Sequence, residues 1–147
     1  MKSDIDIQDD VFRYLRDNSD FWSEMSAFGF ASSSLVLETH KEGMEQIVVS
    51  ILSGGGDVEE IQESFVNVNV FVNDVKNTEE TQGAGEVTTY LTNRNRLRSL
   101  CQVLAEYLSS VQGLTYWFTL DAQRVLEDTA NHMHFVNNKL LYKSINL

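Results

Sequence analysis

At 147 residues the chain is sized for one domain, and its 42% hydrophobic and 22% charged content excludes a disordered polymer. A net charge of −11 excludes a surface that attracts nucleic acid over most of its area, and the lone Cys101 excludes both an intramolecular disulfide and a cysteine zinc site. Apolar runs such as IVVSIL and LTYWFTL fall well short of the ~20 residues of a membrane span, and MKSDIDIQDD lacks a signal peptide's apolar segment. The expectation is a protein made and kept inside a cell, with no membrane partner.

From the amino terminus, Ile7, Val11, Tyr14 and Leu15 recur at helical spacing behind a run of acids that suits a helix dipole, which predicts a helix over about 7–17. Asn18 and Ser19 interrupt it, and SDFWSEMSAF predicts a second short helix with Ser19 as its cap. Three strands are then expected, in SSSLVLET, EQIVVSILSG and ESFVNVNVFVND, the first two joined by a hairpin at HKEG and the last two by a turn at GGGDVEE. That glycine run leads into Asp57, Glu59 and Glu60 rather than into the Lys and Ser/Thr of a phosphate loop, so no phosphate cradle is expected.

The third strand alternates. Val66, Val68, Val70 and Val72 share one face, and Asn67, Asn69 and Asn73 share the other. The valine row belongs under a helix. The asparagine row, which can donate and accept without charge, belongs on the wet face. Phe71 alone breaks the polar row and marks a place where something covers that face.

Residues 74–89 form a polar run without periodicity, with Gly83 and Gly85 near the middle, read here as a long loop that is either an arm or slack. A long helix follows, with Leu97, Leu100, Cys101, Leu104, Leu108 and Val111 on one stripe and Gly113 at its end. LTYWFTL and HMHFVNNKLLYKSI are the closing strands. The order predicts one α+β domain over residues 1–147, a largely antiparallel sheet of about five strands covered on one face by the long helix and the N-terminal helices.

No enzymatic signature emerges, and no cofactor is expected. His132 and His134, two apart on an expected strand, would point the same way and could share a metal, but His40, Glu127 and Asp128 have no fixed spacing to them; half-buried strand histidines explain the pair better. Cys101 on an apolar stripe reads as a small hydrophobe. Charge is uneven: residues 1–86 hold 18 acids and 5 bases, residues 87–147 hold 4 acids and 6 bases. The bases cluster at Arg94, Arg96 and Arg98. Arg94 and Arg98 share a helix face, with Arg96 about 200° from Arg94, and two uses compete for them: contact with phosphate, or pairing with the acidic flank of a neighbouring copy.

The order of elements, together with DVFRYL, NSDFW, FVNVNVFVND and HFVNNKL, resembles small tail-terminator or tail-completion proteins of tailed bacteriophages. The similarity is closest to versions from phages of gut Bacteroidales, including crAss-like ones. The resemblance implies a structural virion protein without enzymatic activity, a ring of itself (hexamer or dodecamer) at the head-tail or tail-end junction. It also implies neighbouring connector or tail proteins as partners, non-specific passage of DNA through the channel, and a place in the tail or neck after synthesis in the host cytoplasm. Expected interface residues are Arg94, Arg96, Arg98, Asp74, Lys76, Glu79, Glu80, Asn67 and Asn69. The competing function is an acidic soluble adaptor, or a DNA mimic that inhibits a DNA-binding enzyme.

Overall fold

The computed structural model describes residues 2–52, 57–58, 60–83 and 85–145. Helices α1 (Asp4–Arg16) and α2 (Ser19–Met25) open the chain. Ser3 caps α1 in a reciprocal capping box with Asp6, whose carboxyl the Ser3 hydrogen bonds hold below the usual carboxylate range. The cap of α2 is Asn18 rather than Ser19: its side chain accepts from Phe21 N at 3.1 Å. A longer polar side chain one residue earlier reaches the orphan amide first.

The fold is α+β. Its curled mixed sheet runs β1 (Leu35–Leu37), β2 (Ile47–Leu52), β4 (Ile61–Asn73), β9 (Met133–Ile145), β8 (Tyr116–Asp128), β7 (Ser110–Gln112), with the two-residue β3 (Asp57–Val58) beside the start of β4. These six principal strands replace the expected five. The hairpin expected at HKEG does not form, because β1 runs parallel to β2 and residues 38–46 must cross over between them. The expected glycine turn at 54–56 lies outside the described residues. The third helix, α3 (Arg94–Leu108), stops before Val111, which instead pairs with Phe118 in the β7–β8 hairpin. An apolar residue at helical phase is indistinguishable from one at strand phase when only three residues remain.

All three helices lie on one face. Ile7, Val11 and Leu15 of α1, Phe21 and Met25 of α2, and Leu97, Leu100, Leu104 and Leu108 of α3 meet the valine row Val66, Val68, Val70 and Val72 in one buried cluster. On the other face Asn137 donates to Asn67 at 3.2 Å and to Asn69 at 2.7 Å, so the asparagine row is stitched across β4 and β9. Lys139 lies over the Phe65 ring and reaches Asp121 at 3.7 Å, while Lys143 pairs with Glu63 at 3.3 Å. Phe71 is covered, as its place in the polar row required. The crossover folds down so that His40 stacks on it at 3.6 Å, and Val48, Phe71 and Met133 form a second small core with Val36 and Phe135 alongside.

Candidate assembly surface

Residues 74–89, read from sequence as a loop, contain most of a β-hairpin. β5 (Val75–Thr81) pairs antiparallel with β6 (Gly85–Leu91), and this ribbon is a sheet of its own. Gly83 and Gly85 take φ of 87° and 71° at the turn, the left-handed region that glycine enters without strain. The ribbon escaped detection because both of its faces are wet: of its strand residues only Asn77 is not exposed, so no apolar alternation exists to find. The available signal was composition, since Val75, Thr78, Thr81, Val87, Thr88, Thr89 and Tyr90 are strand formers around a Gly-rich centre.

The root of this arm is fixed by the start of β9 and the turn before it. His134 Nδ1 meets Asp74 Oδ1 at 2.6 Å and its Nε2 lies 3.5 Å from the Thr92 hydroxyl, so one ring joins the two points where the arm leaves the body. Asp74 N donates to His132 O at 3.0 Å, and the His132 ring stacks on Tyr90 at 3.7 Å. His132 precedes β9 and has φ of 51°, which takes it out of strand alternation. The two histidines therefore do not present a common face for a metal, and among the described residues no group of three His, Cys, Asp or Glu could hold one.

Compared with known proteins, the chain matches no family model and no curated sequence.

The three arginines divide as the helical angle requires. Arg96 turns inward: it forms a two-pronged ion pair with Glu45, with Nη2 to Oε1 at 2.9 Å, donates to Phe28 O and lies over the Phe30 ring. Its guanidinium is committed within the subunit, as is Asp74, and neither is free for a neighbour. Arg94 and Arg98 are exposed and have no carboxylate within 4 Å among the described residues. They flank a groove between α3 and β8 lined also by Thr92, Leu97, Cys101 and Val125. Burial pushes the Cys101 thiol up, which disfavours the thiolate. Lys76, Glu79 and Glu80 stand exposed on the arm, and Asn67 and Asn69 lie half-buried on the open sheet face, so the expected interface residues fall on separate surfaces.

This division has a measurable consequence. Arg96→Gln is expected to lower stability by about 1–2 kcal/mol, because Glu45 and the Phe28 carbonyl lose a charge-assisted partner in a partly buried site. Arg94→Gln and Arg98→Gln should each leave stability within about 0.5 kcal/mol of the parent. Urea denaturation of the three variants checks both statements, and equal loss at all three positions would contradict the assignment.

Proposed function

We propose that this chain is a structural ring subunit of a tailed-phage particle, placed at the head-tail or tail-end junction. The observation that carries the reading is the arm. A lone two-stranded ribbon is at best marginally stable in water, yet this one projects with Val75, Val87, Tyr90 and Leu91 all more than 40% exposed. A subunit that holds such a ribbon at a fixed root is built to seat it on something else. The charge distribution supports the same reading: the acidic first part suits a channel wall, where repulsion keeps passing DNA from adhering, and the basic second part supplies sites for acidic neighbours. The resemblance to tail-terminator proteins agrees with both features.

A mass-spectrometric inventory of purified particles tests the proposal, with the protein expected at a fixed stoichiometry and as closed rings in electron micrographs of the isolated protein. Absence from particles, together with a monomer that binds a basic DNA-binding enzyme, would favour the mimic instead. Assembly should also weaken with salt. Pairs between Arg94 or Arg98 and acids of a neighbouring copy would be screened over about 8 Å near 0.15 M salt, and the double Gln variant should assemble poorly at low salt without loss of helix, since Gln sustains a helix nearly as well as Arg. Contact with phosphate would instead leave assembly intact and reduce DNA retention in particles.

A further inference from the structure

We propose that the open edge of β8 receives the β5–β6 arm of a second copy of this chain as an added strand. The inference rests on the ring reading and names the surface through which the ring would close.

The main sheet treats its edges unequally. β1 and β7 are each three residues long. Where β4 runs past β2, its outward amides are already taken, Phe71 N by Gln46 O at 2.8 Å and Asn73 N by Glu45 Oε2 at 2.9 Å. β8 differs. β7 pairs only with Trp117–Thr119, and Leu120 N still reaches Ser109 O, but after the bulge between Leu120 and Ala122 the strand continues to Asp128 with β9 as its one backbone partner among the described residues. The outward N–H and C=O groups of residues 121–128 form a template for another strand. Val125 and Leu126 along it are 45% and 40% exposed.

The flank of this edge fits the arm in particular. A strand laid on β8 would run beside the groove floored by Leu97, Cys101 and Val125 and rimmed by Arg94 and Arg98. The arm offers strands of seven residues, nearly the length of the open edge, with both of their outer edges unpaired among the described residues. Its charges are Lys76 against Glu79, Glu80 and Glu86, so it brings net negative charge to two arginines without carboxylate partners among the described residues. The subunit's own arm does not pair with this edge, because β5 and β6 form a separate two-stranded sheet. Seven strand residues reach roughly 23 Å from the root, enough to cross to an adjacent subunit. An arm that enters a different surface on the next copy is a head-to-tail contact, which propagates until the rotation closes it into a ring.

Complementation between two defective copies tests this. In one, Val125→Glu fills the groove with a carboxylate that engages Arg94 and Arg98 and repels the arm. In the other, residues 75–91 are replaced by a short Gly-Ser linker, which the adjacent ends of a hairpin tolerate. Each alone is expected to sediment as a monomer with the parent's circular dichroism core signal. Mixed, they should form a species of two subunits, because the intact arm of the first enters the intact edge of the second. Hydrogen exchange of the unaltered protein gives a readout that needs no variant: amides of residues 121–128 and of the arm should slow about tenfold or more between dilute and concentrated samples. A mixture that stays monomeric, a variant that assembles alone like the parent, or edge amides indifferent to concentration would overturn the proposal. If rings still form in those cases, the ring reading stands and this interface fails. A parent chain that remains monomeric at every concentration removes the second copy as occupant, and the particle inventory then decides the ring reading by itself.

Discussion

Val68→Asp is expected to abolish folding, and Leu104→Ala to lower stability by about 2–5 kcal/mol. Both side chains are fully buried and belong to the same cluster. Val68 stands at the centre of β4, opposite Val49 on one side and Asn138 on the other. The Asn138 amide opposite it is already engaged in donating to Val68 O at 3.0 Å, and the Gln8 amide in donating to Val49 O at 2.9 Å. A carboxylate introduced there has neither water nor a cation to meet, and the whole sheet centre would have to open to solvate it. Leu104→Ala removes the middle of the α3 stripe, and the cavity is walled by strands that cannot collapse freely. Urea denaturation followed by circular dichroism measures both. Parent-like stability in the two variants would mean that the valine row and the helix stripe do not face one another.

The second large effect is expected at Asp10. Its carboxylate accepts from the Tyr142 hydroxyl, pairs with Lys2 and meets Arg13 Nη2 at 3.0 Å, in a site where its side chain is 10% exposed. Lys2 is further held by Gln62, which accepts from Lys2 N at 2.9 Å and donates to Lys2 O at 2.7 Å. Asp10→Ala leaves the Lys2 ammonium, which also donates to the Tyr142 hydroxyl at 3.1 Å, without its counter-charge and the Tyr142 proton without its acceptor, with an expected loss of about 3 kcal/mol. Asp10→Asn keeps the volume and one acceptor and should lose less.

Burial and the Asp10 hydrogen bond also push Tyr142 well above the ordinary tyrosine range. The folded state then holds this proton more tightly than the unfolded state, so the associated stability is complete below about pH 10 and declines as pH rises past it. Tyr107 adds in the same direction, pushed up to about 12 chiefly by the neighbouring Glu24 carboxylate. Urea midpoints should therefore fall between about pH 10 and 12, with a shallower fall in Tyr142→Phe. An identical fall in that variant would exclude Tyr142 as a source.

What the sequence determined by itself is whatever rests on burial of a repeating pattern. The alternation Val66 to Val72 against Asn67 to Asn73, the stripe from Leu97 to Leu108 and the helical spacing of Ile7, Val11 and Leu15 each have one dry and one wet face, and that contrast is written locally. Even Phe71 announced its cover. Tertiary structure alone decided what depends on pairing between distant segments: that β1 runs parallel to β2, that Val111 leaves the helix to join Phe118, that His134 ties down Asp74, and that Arg96 turns in to Glu45 while Arg94 and Arg98 turn out. The arm lay beyond sequence reasoning for a related reason. A strand is legible by the face it buries, and within one subunit the β5–β6 ribbon buries neither.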